Sequence, residues 1–218
     1  MKTNAVSKTY GGRIVLKMPE IVLAPDTVHV VLGSNGSGKS TWAKILAGVL
    51  DADGKTAPLA ESCHVGYLPQ RAYAFRMSTE KNLRIAANDR EREERLLAAL
   101  RLTDLRKAGA DKLSGGESAR MALARVLMKP FDLLILDEPS AAMDMESTML
   151  AERAILDYKE ETGAAVLLIT HSIKQAERMG DRLLFLKAGE LAEDGPCSVR
   201  LHDPQTGVLK NFLDFYGG

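Results

Sequence analysis

Cysteine is scarce in this chain. Cys63 and Cys197 are its two examples, far apart and without partners at metal-site spacing. That excludes a disulfide framework and a thiolate zinc site, and it leaves both thiols as small apolar residues of a reducing compartment. Net charge is missing too. Lys plus Arg and Asp plus Glu number 29 each, so the broad basic field of a nucleic-acid binder is absent and no nucleic-acid partner is expected. Long apolar runs are also lacking. The longest, such as 164–169, are far too short to cross a bilayer. Residues 1–8 hold no apolar core of a secretory signal, so none is expected. There is no internal repeat and no low-complexity tract. What remains is 45% hydrophobic and 27% charged over 218 residues, a globular composition with a real core, expected as a single domain over 1–218.

Against that background one stretch stands out: Gly33-Ser34-Asn35-Gly36-Ser37-Gly38-Lys39-Ser40-Thr41. It fits G-x-x-x-x-G-K-[ST], follows the apolar run 28–32 and opens into a helical pattern from Trp42. This is the strand–loop–helix setting that a phosphate-binding loop needs. Glycines let consecutive N–H groups turn inward, and the helix dipole adds positive potential at the same point. Lys39 supplies a mobile charge for the β- and γ-phosphates, and Ser40 supplies a hydroxyl for Mg²⁺. A glycine-rich turn matched by chance would not carry both flanking elements.

A second constellation lies at Asp137-Glu138, after the apolar run 133–136. In open α/β sheets ligands bind where strands end. There Asp137 would reach Mg²⁺, directly or through water, and Glu138 would orient or deprotonate the attacking water. An acidic helix cap is the plain alternative, because Pro139-Ser140 follows. The phosphate loop upstream favours chemistry. His171 follows the apolar run 165–169 and is delivered to the same edge, where it can meet a γ-phosphate or the water. The third constellation is Leu113-Ser114-Gly115-Gly116-Glu117, ahead of a helical run to Met128. Ser114 can cap that helix, and the glycines bare its N-terminal amides as a second anion site, although an ordinary cap would look alike.

The rest of the chain supplies a frame. Residues 1–32 read as β-rich, with His29 as a packed or edge residue of the strand that feeds the loop, not a ligand. Residues 39–50 read as a helix, 51–62 as a turn and 64–68 as a short strand. The runs 133–136 and 165–169 suit buried parallel strands between helices, and 183–195 suits a hairpin. The interleaved charges of 89–95 predict a solvated helix face with i,i+4 pairs. Residues 204–216 predict a terminal helix with Val208, Leu209, Phe212, Leu213 and Phe215 on its packing side.

The ordered set of motifs resembles the ABC transporter ATPases across about residues 5–195. It comprises Tyr10 before Gly11-Gly12, the phosphate loop, Gln70 in Tyr67-Leu68-Pro69-Gln70, Leu113 to Glu117, Asp137-Glu138, Asp144 and His171. The resemblance implies an α/β P-loop NTPase core with a mostly parallel sheet. It adds an N-terminal antiparallel β subdomain and a small helical subdomain at about 71–128. It implies that Tyr10 stacks on adenine, that Gly33 to Thr41 hold the phosphates, and that Gln70 contacts Mg²⁺ or water and senses a membrane partner. Lys39, Glu138 and His171 are then the catalytic set, with His171 as the γ-phosphate switch. Ser114, Gly115, Gly116 and Glu117 close over ATP held by a second copy, and Asp144 communicates across that dimer. Transmembrane permease subunits, and through them a solute-binding protein, are the implied partners, placing the chain in the cytoplasm on the inner face of the membrane. Tyr73 and Phe75 are either contacts in the permease groove or core. Departures from the family pattern are Glu117 for glutamine, Trp42 for leucine and Ser-Ala-Ala-Met before Asp144. Residues 106–112 lack the segment typical of exporters, which leans toward import. A soluble ABC ATPase that remodels an assembly is the alternative, and the chain shows no coiled-coil insertion or basic tail in its favour.

Overall fold

The computed structural model describes residues 1–54, 59, 63–71 and 73–216. Much of the expected turn over 51–62 lies outside them. In chain order the elements are β1 (Val6–Tyr10), β2 (Arg13–Met18), β3 (Val28–Leu32), α1 (Lys39–Leu46), β4 (Val65–Leu68), α2 (Thr79–Arg84), α3 (Arg90–Ala99), α4 (Gly115–Leu127), β5 (Leu133–Asp137), α5 (Met145–Thr162), β6 (Ala165–Ile169), α6 (Ile173–Met179), β7 (Arg182–Lys187), β8 (Glu190–Pro196), α7 (Cys197–Arg200) and α8 (Gly207–Tyr216). Continuous apolar runs make strands buried on both faces, and that is where they sit. The eight-stranded sheet has the order β1-β2-β8-β7-β3-β6-β5-β4, parallel from β7 to β4. The N-terminal hairpin β1–β2 is antiparallel. It joins the same sheet through β8, where Lys17 pairs with Glu190. The 183–195 hairpin is β7–β8.

Period-two alternation divides the core. Val28, Val30, Leu32, Leu134, Leu136, Val166 and Leu168 face the layer formed by α4, α5 and α6. Val31, Leu133, Ile135, Leu167 and Ile169 face the other way, onto Trp42, Ile45 and Leu46 of α1 with Leu16 and Met18 of β2. One face is therefore covered by helices and the other by one helix and a β hairpin. His29 is fully buried in β3 and its Nε2 lies 3.3 Å from the Ala24 carbonyl, a packed residue and not an edge one. Burial lowers its pKa.

Two expectations change. The 89–95 charges do not pair along their own helix. Asp89 caps α3 through the Arg92 amide at 3.0 Å. Arg92 reaches Leu127 O at 2.7 Å and Glu161 at 3.1 Å, and the buried Glu93 pairs with Arg84 at 2.6 Å. Arg92 and Glu93 tie α3 to α2, α4 and α5, while Asp89, Arg90, Glu91, Glu94 and Arg95 are exposed, as expected of a solvated face. The stripe on α8 is narrower than its sequence suggests. Leu209 and Phe212 are buried, with Phe212 against Phe185 at 5.1 Å between centroids, but Val208 is 40% and Phe215 80% exposed. At about 100° per residue, 208 and 215 fall on the rim of a face centred on 209 and 212.

The approach to α8 is held by one buried carboxylate. Glu193 accepts from the amides of Gln205 at 2.8 Å and Thr206 at 2.9 Å, and from the Thr206 hydroxyl at 2.6 Å. Burial alone would raise its pKa. These donors and Arg200 outweigh that and hold it below the usual carboxylate range. A carboxylate lowered on folding stabilises above its unfolded pKa, and that contribution is lost as pH falls through the folded value. Amide protection factors in α8 should therefore fall selectively as pH drops below about 4.3, the unperturbed Glu value. In Glu193→Gln this acid-dependent step should vanish. Protection factors that fall uniformly across the chain would contradict this.

Candidate functional site

Strands β3, β5 and β6 run parallel, so their last residues reach one edge. The loop after β3 needs glycine for definite reasons. A Cβ on Gly33, whose φ is +153°, would lie 2.3 Å from Leu186 O. Gly38 stands at φ +100° as the N-cap of α1, where a Cβ would lie 2.9 Å from Leu16 Cδ1. No side chain caps α1 and no acid lies in its first turn, so the positive end of its dipole faces the loop unopposed. Lys39 donates to Gly33 O at 2.7 Å and Ser34 O at 3.0 Å. Burial lowers its pKa, and Glu138 and Asp137 pull it back up. Ser37 Oγ is buried without a hydrogen-bond partner among the described residues.

The acidic pair arrives from β5. Ser40 Oγ donates to Asp137 Oδ1 at 3.1 Å across 97 residues of chain. Burial raises the Asp137 pKa, and the Ser40 hydroxyl opposes this. Burial and the Asp137 charge also push Tyr67 up to about 12, so its hydroxyl stays protonated beside the carboxylate. Glu138 takes the left-handed conformation, φ +52°. Its side chain accepts from Gln70 Nε2 at 2.9 Å and lies 3.3 Å from His171 Nδ1. A cavity of about 360 Å³ is lined by Asn35 to Thr41, Gln70, Glu138 and Val15. Val15 was invisible in the sequence, because an apolar residue on β2 carries no motif and the pairing of β2 beyond β8 brings it here.

The chemistry of this set suits a polyphosphate with a divalent ion. The orphaned Ser37 hydroxyl and the uncapped helix start favour an anion. Among the described residues no three His, Cys, Asp or Glu side chains cluster to hold a metal by themselves. A hard cation here would need phosphate oxygens besides Ser40, Gln70 and Asp137, which is how Mg²⁺ is bound beside nucleotides.

Other expected site residues lie elsewhere. Ser114 to Glu117 do not line the cavity at Lys39. They form a capping box at α4, with Glu117 N donating to Ser114 Oγ at 3.3 Å and Ser114 N to Glu117 Oε2 at 2.7 Å. The Ser114 amide holds the Glu117 carboxyl below its usual range. Glu and Gln serve equally at the third helical position of such a box, so glutamate is no defect there. Gly115 lines a separate groove of about 350 Å³ with Gln70, Glu138 and Ala142. Tyr10 is exposed at the end of β1, with Lys8 Nζ 5.5 Å from its ring. Asp144 caps α5 through the Ser147 amide at 2.7 Å, a bond that lowers its pKa. Tyr73 and Phe75 are surface residues, Tyr73 being 75% exposed, with Arg125 over the Phe75 ring at 5.1 Å. The core alternative for them is thereby excluded.

Comparison with known proteins agrees with this geometry. The family described as ABC transporter matches residues 16–141. The tungstate uptake system ATP-binding protein TupC of Peptoclostridium acidaminophilum is 31% identical over 202 residues, which cover 86% of this chain and 94% of that protein. The zinc import ATP-binding protein ZnuC of Alcanivorax borkumensis is 32% identical, covering 89% and 78%. Among solved structures, a bacterial ABC transporter cassette described as dimeric shares the fold at TM-score 0.77 and 24% identity, over 90% of this chain and 98% of that one. No helix among the described residues is long and apolar enough to cross a membrane.

Proposed function

This chain belongs to the ABC transporter family, and from that premise we propose that it binds and hydrolyses ATP to drive a membrane transporter that imports a small solute. The observation that carries the chemistry is the meeting at one strand edge of the Lys39 loop, the Ser40–Asp137 bond and Glu138 with Gln70 and His171 around it. Import is supported by the names of the relatives above, both of which belong to uptake systems.

In this reading the loop amides and Lys39 hold the triphosphate. Lys39 exchanges its two carbonyl acceptors for phosphate oxygens. Ser40, Gln70 and Asp137 would hold Mg²⁺, which would supply neutralisation of the phosphate charge. Glu138 accepts the proton of the attacking water, with the Gln70 amide fixing the carboxylate plane, and His171, whose Nδ1 lies beside Glu138, would contact the γ-phosphate. Ser114, Gly115 and Gly116 stay outside their own cavity because they serve a second copy. Two chains arranged head to tail would each cover the other's nucleotide, a self-complementary arrangement. Closure with ATP and opening after hydrolysis then push permease subunits from the cytoplasmic side.

The trans assignment is tested with Ser114→Arg. An arginine there blocks the approach of a second copy without touching the chain's own cavity. MgATP-dependent dimerisation in size-exclusion chromatography should be lost, while nucleotide affinity of the monomer stays as in the parent. Affinity lost together with the dimer would place the Ser114 turn in cis and rule out the trans assignment.

A further inference from the structure

Glu138 is held in a conformation that it does not prefer. A non-glycine residue at φ +52° occupies a sparsely populated backbone region, and such geometry persists where its surroundings fix it. On one side its N–H is tied to Ile169 O at 2.9 Å, and its own carbonyl accepts from Ala141 N at 3.2 Å. The turn is then anchored from outside by Ser140, whose Oγ accepts from Gln175 Nε2 at 3.1 Å. Gln175 belongs to α6, the helix that starts just after His171. Its amide is buried, and the same Nε2 donates to Glu152 Oε1 of α5 at 3.1 Å. Glu152, itself buried, is gripped by Arg178 through Nε at 2.7 Å and Nη2 at 2.6 Å. A bidentate pair of this kind sets the carboxylate plane.

We propose that Glu152 is a positioning residue for hydrolysis: it aims the Gln175 amide at Ser140 and so keeps the left-handed turn at Glu138 in register with the helix that follows His171. This rests on the reading of Glu138 as the base. The chain of contacts is short and oriented. Arg178 fixes Glu152, Glu152 fixes Gln175, and Gln175 holds the residue two positions after the base. None of the three reaches the phosphate cavity, so none bears on how tightly the nucleotide is held. Loosening the chain frees the turn to relax, and Glu138 shifts relative to Gln70 and His171. Misplacements of this size act on the chemical step.

The test is steady-state hydrolysis of MgATP by the full chain, with rates expressed per nucleotide-binding molecule so that misfolded protein does not count. Glu152→Met and Gln175→Glu should each lower kcat by about ten- to hundredfold with KM for ATP unchanged, the pattern of an interaction that matters in the transition state. Gln175→Glu keeps its shape and sets two carboxylates face to face. Arg178→Met keeps Glu152 and Gln175 but removes the grip on the carboxylate, and should lower kcat in the same way with KM unchanged. A loss carried by KM, or an unchanged kcat in all three variants, would overturn the inference. Glu138→Gln is run beside them. If it is inactive while Glu152→Met turns over normally, the inference alone falls. If Glu138→Gln turns over normally, the base assignment falls and takes the inference with it.

Discussion

Glu138→Gln is expected to lower ATP turnover by about 10²- to 10⁴-fold, the range a positioned general base supplies. The substitution is nearly isosteric, so the turn at φ +52° and the neighbours of the side chain stay in place. What is lost is the group that takes the proton. Lys39, Ser40 and the loop are untouched, so nucleotide binding should persist. With chemistry blocked and binding intact, the ATP-bound closed state has no exit, and a dimer should accumulate with MgATP in size-exclusion chromatography. Wild-type turnover in this variant would remove Glu138 from the mechanism. A slow variant that stays monomeric with ATP would keep the base and reject the sandwich.

Trp42→Ala should have the largest effect on stability. Trp42 is fully buried in the second turn of α1, among Leu16, Met18, Val31 and Ile135. Removing an indole from such a site costs about 3–5 kcal/mol, against a total stability of about 5–15 kcal/mol for a domain. That face of the sheet has one helix and a hairpin to cover it, so no second helix can close over the cavity. The same helix starts at the phosphate loop, so the loss is coupled to ligand. Saturating MgATP should recover part of it by mass action, read as a shift of the urea midpoint. Trp42→Phe should lose far less. It keeps a ring and removes an indole N–H that has no acceptor among the described residues, a group that costs free energy to bury. An alanine variant as stable as the parent would mean that α1 is not held by this side chain.

How the site could be read from the chain alone differs from residue to residue. The loop 33–41 was legible because its demands are local: glycine where φ is positive, lysine and serine at set offsets, strand before and helix after. Ser114 was legible as a cap for the same reason, whereas the part of Glu117 in closing the box was shown by the structure. Within the largely solvated charges of 89–95, Arg92 and Glu93 misled because alternating signs are compatible with a solvated face and with a seam between helices. Only their neighbours decide, and Glu93 proved buried against Arg84. Val208 and Phe215 misled because composition names the apolar residues of a helix but not its rotation about its axis. Val15, Gln175 and Glu152 carried no signal, since their partners are distant in sequence and none sits in a motif.

Sequence by itself determined the buried strands, the phosphate loop, the helix caps and the identities of Asp137 and Glu138. Each depends on a few consecutive residues whose propensities and spacing act over one turn or one strand. Tertiary structure alone decided that Ser40 meets Asp137, that Glu138 is bracketed by Gln70 and His171, and that Gly115 lines a neighbouring groove and not the cavity at Lys39. Those outcomes depend on strand order in the sheet, where β3, β6 and β5 lie side by side although long stretches of chain separate them. That order is set by how all the apolar faces are buried at once, a global balance that no local window contains.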